Sequence, residues 1–509
     1  MSTGIVGRAV GMTLVGIQAH IVVIEAVILP GLPHWSMVGL ADVAVTEARE
    51  RLRASFSHVG LRWPHERVTI NLSPASLPKT GTALDLGVAV ALLAAQGYKP
   101  LSQTTVVIGE LGLDGTIRPT RGILPSIIAA KEHHFTHAIV PSANADEARL
   151  VQGIEIIAVS HISQVAQWMG SDIPVPHSTL VAVNNTEHIS HNAYDDDQAV
   201  DMADVHGQEA AITGIEVAAA GGHHILMVGP PGVGKSMIAH RLPSILPDLS
   251  HDQAVDVAAI DSIQGKHITR LRQRPPIAAP HHTVSTTSLI GGGSAIARPG
   301  AVSQAHHGIL FCDEFAEFGV RTIQALREPL ESGYVEIARS RATVRFPAQF
   351  QLVAAANPCA CGKILDGPGA CTCSSRQLRS YQSKLGGPVR DRIDVVVELI
   401  RPTRSDLQIS APSSAQLRSR VMCAREKQYA RANMLNSRLP GSWLRKNTAL
   451  SSTISALLDT KLRTGQLSMR GMDRVLRMAW SVADLAGHDQ PSDDDIALAF
   501  SLRTALEAS

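Results

Sequence analysis

Long apolar runs are missing from this 509-residue chain. No stretch approaches the roughly 18 residues of a membrane span, and the longest strand-like run, residues 21–30, is broken by Glu25. The sequence also begins without a charged segment followed by an apolar one, so no export signal is expected and the expected location is cytoplasmic, with no membrane partner. Six cysteines in this length exclude a secreted disulfide scaffold. A net charge of +1 excludes a globally basic nucleic-acid coat, and an aromatic content of 4% argues against base stacking as the main binding mode. Any nucleic-acid contact would run from Arg and Lys to phosphate. Lys and Arg are absent altogether between Arg149 and Lys235, a gap that contains Asp195, Asp196, Asp197, Asp201 and Asp204.

That gap divides the chain. Residues 1–172 alternate β-rich runs (Ile21 to Ile24, Val68 to Leu72, Thr105 to Ile108) with helical stretches near Asp85 to Ala95 and Leu124 to Ala130. Residues 173–200 read as an acidic linker, a solvated spacer or an acidic docking segment. Residues 201–402 carry the nucleotide motifs described next. Pro402 and the Ser-rich segment Ser410 to Ser414 introduce a helical part, 403–509, that is richer in Lys and Arg than in acid.

Gly229-Pro230-Pro231-Gly232-Val233-Gly234-Lys235-Ser236 is a full G-x-x-x-x-G-K-S pattern between an apolar strand-like run and an opening helix. Its glycines let backbone N–H groups turn inward around phosphate, and the helix N-terminus adds its positive end. Lys235 is expected to reach the β- and γ-phosphates of ATP, and Ser236 to ligate Mg²⁺. A second apolar run ends in Asp313 and Glu314, candidates for the Mg²⁺ shell and for the group that polarises the attacking water. A third ends at Asn357, placed to bridge the γ-phosphate and that water. Arg392, preferred over Arg390, is the candidate arginine finger, and Arg470, with Arg474 behind it, the candidate phosphate sensor. For these arginines a surface salt bridge is the competing reading.

Cys359, Cys361, Cys371 and Cys373 form two C-x-C steps nine residues apart. Tetrahedral Zn²⁺, reduced free cysteines and a redox pair all fit that spacing. His281-His282 and His306-His307 read as loop or interface packing, because adjacent side chains on a strand point apart.

Taken in order, these elements resemble the AAA+ ATPases, specifically the magnesium-chelatase-like YifB/ComM family. The marks are Gly207-Gln208-Glu209, Gly221-Gly222-His223-His224, Pro280-His281-His282-Thr283, Gly291-Gly292-Gly293-Ser294, Arg298-Pro299-Gly300, Asn357-Pro358-Cys359 and Asp391-Arg392-Ile393-Asp394. The resemblance implies a multidomain α/β protein: a Lon-protease-like N-terminal domain of the ribosomal S5 domain 2-like type, an AAA+ core and a C-terminal helical lid. It further implies a homo-oligomeric ring, usually hexameric, in which Arg392 acts in trans, and a motor that translocates on DNA or migrates its branches during recombination or transformation, in company with recombination proteins. Two pore insertions are implied, near 264–307 and in a hairpin at 335–346 whose Arg339, Arg341 and Arg345 suit DNA phosphates, a solvated hairpin face being the competing reading. Ala83 and Pro125 stand where the Lon nucleophile and lysine would be, so no peptidase activity is expected. A chelatase motor subunit and a protein-remodelling scaffold ATPase are the alternatives.

Overall fold

The computed structural model describes residues 5–39, 42–176, 200–293, 297–338, 343–367, 369–385, 389–406 and 411–504. Most of the proposed linker, together with Ser294, Arg339 and Arg341, lies outside the described residues.

Before residue 170 the described chain forms a four-stranded sheet, a three-stranded sheet and a short two-stranded pair, with one helix buried among them. Strands Val6–Val15 and Gln18–Leu29 make an antiparallel hairpin; Arg67–Ser73 joins it antiparallel, and His34–Val38 closes the edge in parallel. Alternation drives this arrangement, since Val22, Ile24 and Ala26, like Val68, Ile70 and Leu72, turn one face into the core. Helix Asp85–Ala95 has no polar face after its first residue and is buried along its whole length. Its leading Asp85 is paired with Arg51, whose Nε lies 2.6 Å away; burial raises the carboxyl's pKa and Arg51 works against that. Helix Ile123–Glu132 packs by the parallel strands Thr105–Val107, His137–Pro141 and Glu155–Val159.

The central sheet is parallel throughout, in the order Ile277–Ala278, Ile309–Cys312, Gln351–Ala356, Ile225–Val228, Val395–Glu398. Its strands are nearly continuous apolar runs, as burial on both faces requires. The strand leading to Asn357 therefore lies between the phosphate-loop strand and the strand leading to Asp313. All three deliver their last residues to one carboxyl edge, where parallel sheets bind ligands.

The expected insertion at 264–307 is corrected here. Ile277–Ala278 is not inserted but forms the edge strand of the sheet, pairing with Ile309 and Leu310. Two residues after a Pro-Pro step carry no periodicity for a reader to find. The additional structure is the helix Thr286–Ile290 with the short pair Gly291–Gly292 and Arg298–Pro299. The second hairpin is Tyr334–Ala338 with Thr343–Pro347. The turn at Gly16 rests on it, since a Cβ added there would come 2.6 Å from the Val344 side chain.

The C-terminal helices Ser414–Ala432, Ser452–Arg463, Met469–Ala486 and Asp493–Thr504 follow. Ser413 caps the first with a reciprocal bond to Gln416, and Ser468 caps the third. Ser414–Ala432 and Met469–Ala486 pack on helix Glu209–Gly221, the third one burying Val475, Met478, Ala479 and Trp480.

Candidate nucleotide site

Strand Ile225–Val228 passes through the glycine-rich loop into helix Lys235–Ile245. Gly232 and Gly234 have φ of 80° and 96°, the region that only glycine enters freely. A side chain at Gly229 would come within 2.6 Å of the Leu399 carbonyl oxygen. The loop thus folds its backbone into a cradle that larger residues would fill. Lys235 is buried, with Nζ donating to the carbonyl oxygens of Gly229 (2.6 Å) and Pro230 (2.9 Å) and to Asn357 Oδ1 (3.1 Å). Burial lowers the pKa of this ammonium, and nearby Asp313 works against that.

Ser236 Oγ donates to Asp313 Oδ2 at 2.6 Å, so a hydroxyl from the helix and a carboxylate from another strand converge on one point. Hydroxyl and carboxylate oxygens are the hard donors that Mg²⁺ takes. Asp313 Oδ1 accepts the Glu314 backbone N–H at 2.8 Å. Glu314 itself has φ of 50°, rare for a residue with a side chain, and its Oε2 lies 2.8 Å from His282 Nδ1. His282 was not singled out as functional from sequence. No local pattern marked it, because residue 282 reaches this carboxyl edge only through the pairing of Ile277–Ala278 with the Asp313 strand.

The candidate arginines lie elsewhere. Arg392 precedes strand Val395–Glu398, whereas Lys235 follows strand Ile225–Val228, and these strands are parallel. Arg392 is therefore at the opposite edge of the sheet from the phosphate loop of its own chain. There it pairs with Glu331 and lines a groove of about 1170 Å³ with Asp394, Arg474 and Arg477. Arg474 Nη1 donates to Asp394 Oδ1 at 2.7 Å. Asp394 Oδ2 meets His223 Nδ1 at 3.2 Å, and His223 Nε2 meets Ser481 Oγ at 2.8 Å. Burial pushes the Asp394 carboxyl up, but the hydrogen bond and charge of His223, with the charge of Arg474, outweigh it and hold Asp394 well below the usual carboxylate range. Arg470 is exposed on the first turn of helix Met469–Ala486 and does not line the groove. The arginine that joins Arg392 is Arg474, the second choice from sequence.

Cys359, Cys361, Cys371 and Cys373 gather directly after Asn357, their sulfurs within 4.8 Å of one another. Arg345 is exposed on the second hairpin, its Nε 2.7 Å from Glu336 and its guanidinium 4.8 Å from the Tyr334 ring centre.

A parallel sheet with the Asn357 strand inserted beside the phosphate-loop strand, ending in Lys235, Ser236, Asp313 and Glu314, defines an ATP-binding protein of the AAA+ class. Within that class the chain belongs to the magnesium-chelatase-like YifB/ComM family. The profile described as "Magnesium chelatase, subunit ChlI" matches residues 201–407, "Subunit ChlI of Mg-chelatase" residues 24–144, and "Magnesium chelatase, subunit ChlI C-terminal" residues 411–503. The chain is 43% identical over 506 residues to the uncharacterized protein Rv2897c of Mycobacterium tuberculosis, covering 98% of each. It is 37% identical to the uncharacterized protein YifB of Escherichia coli, covering 93% of this chain and 92% of that one. To the competence protein ComM of Haemophilus influenzae it is 34% identical, covering 96% of each.

Proposed function

We propose that this protein hydrolyses ATP within a homo-oligomeric, hexameric ring and couples that hydrolysis to translocation on DNA or branch migration. The observation that carries the first half is the convergence of Ser236 on Asp313, at 2.6 Å, and of Lys235 on Asn357, at 3.1 Å. Lys235 exchanges its backbone carbonyl partners for the phosphates, to which an ammonium binds more strongly. Ser236 and Asp313 hold Mg²⁺, which when bound neutralises charge on the phosphates. Glu314 leaves His282 to orient the attacking water and take its proton, and Asn357 steadies that water against the γ-phosphate. Arg392, at the far edge of the sheet, serves the site of a neighbouring subunit, with Arg474 in the same groove; Arg470, outside that groove, is the alternative phosphate sensor. Residues 1–172 are the Lon-like, non-peptidase domain, 173–200 the linker, 201–402 the AAA+ core and 403–509 the helical lid.

The DNA half rests on the name of the ComM relative, on Arg345 of the second hairpin, and on Arg339 and Arg341, which lie outside the described residues, as read from the sequence. Recombination proteins would load the ring in the cytoplasm. Zn²⁺ is the occupant proposed for the four cysteines. A chelatase motor is the second reading, favoured by the profile descriptions. The test is steady-state ATP turnover with and without a four-way DNA junction at several salt concentrations. A junction that raises turnover, through an interaction that weakens steeply with salt, is the expected result. Turnover indifferent to every DNA structure would sink the DNA half and send the search to protein or porphyrin substrates.

A further inference from the structure

Four sulfur atoms meet where the Asn357 strand ends. Cys359 Sγ is 3.4 Å from Cys361 Sγ and 3.8 Å from Cys371 Sγ, and Cys361 Sγ is 3.6 Å from Cys371 Sγ. Cys373 Sγ accepts the Cys361 backbone N–H at 3.3 Å. Disulfide sulfurs would lie about 2.05 Å apart. Thiolates at about 2.3 Å from one tetrahedral metal ion have edges of roughly 3.8 Å. The spacing is that of ligands around a shared centre. Four soft thiolates select Zn²⁺ over the hard cations that Asp313 and Ser236 suit.

The cysteine loop is tied to the nucleotide site at two places and to its surroundings at a third. Two residues before Cys359, Asn357 holds Lys235. Between the cysteine pairs, Gly362 has φ of 76°, and a Cβ there would come 2.8 Å from Pro231 Cδ of the phosphate loop. Farther on, Asp366 accepts from Arg401 Nε at 2.9 Å, just beyond the strand that flanks the phosphate-loop strand on its other side. The loop therefore lies against the phosphate loop at Gly362 and is tied at Asp366 to the residues that follow the neighbouring strand.

We propose that Cys359, Cys361, Cys371 and Cys373 bind one Zn²⁺, and that this knuckle holds the phosphate loop in its nucleotide-binding shape through the Gly362–Pro231 contact. Four protein ligands leave no open position, so the ion is structural. The coupling, though not the metal site, rests on the reading of Gly229 to Ser236 as the triphosphate cradle.

The experiment uses the full chain. Zinc is quantified in the purified protein, Co²⁺ is substituted and its thiolate absorption recorded, and a fluorescent ADP analogue is titrated before and after zinc removal and return to Mg²⁺ buffer. Two variants accompany it: the double substitution C371S/C373S, and Gly362→Val, which keeps all four thiols. We expect one zinc per chain, lost in the double variant. Zinc-free protein and Gly362→Val should bind nucleotide on the order of tenfold more weakly, the latter with zinc retained. If the double variant fails to fold, Gly362→Val and the stripped wild type still decide the matter. No zinc and no cobalt–thiolate band would overturn the metal site. Zinc present with affinity unchanged in both nucleotide tests would overturn the coupling. A zinc-loaded wild type that binds no nucleotide would overturn the cradle reading and the coupling with it, leaving the metal site standing.

Discussion

The Glu314 carboxylate is held by the His282 imidazole, Oε2 to Nδ1 at 2.8 Å, while the Glu314 backbone sits in the left-handed region at φ 50°. That backbone costs about 1–2 kcal/mol in a residue with a Cβ and persists because the Asp313 carboxylate accepts the Glu314 N–H. The side chain is thereby parked on a neighbour at the edge of the site. An anchor of this kind competes with water for the carboxylate. His282→Ala should raise basal ATP turnover about fivefold, the equivalent of a ~1 kcal/mol hydrogen bond to an ionised group near solvent, with KM for ATP little changed. Glu314→Gln should bind the fluorescent nucleotide as the wild type does and lose about 10²–10⁴-fold in kcat. A fall in turnover for His282→Ala would show instead that the histidine holds Glu314 in its working position.

Lys235 is buried among carbonyl oxygens and carries a charge that only an anion fully compensates. Lys235→Ala should weaken nucleotide binding about a hundredfold, ~2.7 kcal/mol, read by the same fluorescence titration. Thermal melting of the variant without nucleotide should match or exceed the wild type, since a buried cation has been removed. Unchanged affinity would mean that the phosphates bind elsewhere.

The phosphate loop was legible in sequence because its parts are contiguous: the residues that turn, bind and start the helix are neighbours from Gly229 to Ser236. The helix Asp85–Ala95 was equally plain, its apolar run having nowhere to go but a core. What escaped was made by the packing of distant segments. Ile277–Ala278 is a strand only because Ile309–Leu310 pairs with it. His282 meets Glu314 across 32 positions of chain. Arg474, rather than Arg470, shares the groove with Arg392, because it lies one turn further along the helix, where Asp394 is in reach. The contact of Gly362 with Pro231 joins two loops whose proximity no local pattern records.

Two histidines set an acid limit on the fold. Burial holds His224 at about 4 and His306 at about 3, the latter further lowered by the neighbouring His307. Both lie below the ordinary value, so below about pH 6.5 the unfolded chain takes up protons that the folded chain refuses. Stability is therefore complete above that pH and declines as pH falls toward 4, each histidine costing about 2 kcal/mol by pH 5. The midpoint of thermal melting should drop between about pH 7.5 and 5. His306→Asn, whose Oδ1 can still accept the Gln349 N–H that His306 Nδ1 accepts at 3.0 Å, should flatten the profile. Equal slopes for variant and wild type would remove His306 from the explanation.

The composite site is the core of this account, and it can be measured by mixing two dead proteins. Arg392→Ala keeps Glu314 and lacks the finger; Glu314→Gln keeps the finger and lacks the residue that activates water. Each alone should be slowed severely, by about 10³–10⁵-fold for the arginine and less for the glutamate. Co-assembled, they place an intact Glu314 opposite an intact Arg392 at some boundaries. ATP turnover of the mixture should then rise well above the sum of the two. A mixture that co-assembles and binds nucleotide yet stays as inactive as its parts would contradict the claim that Arg392 completes a neighbour's site.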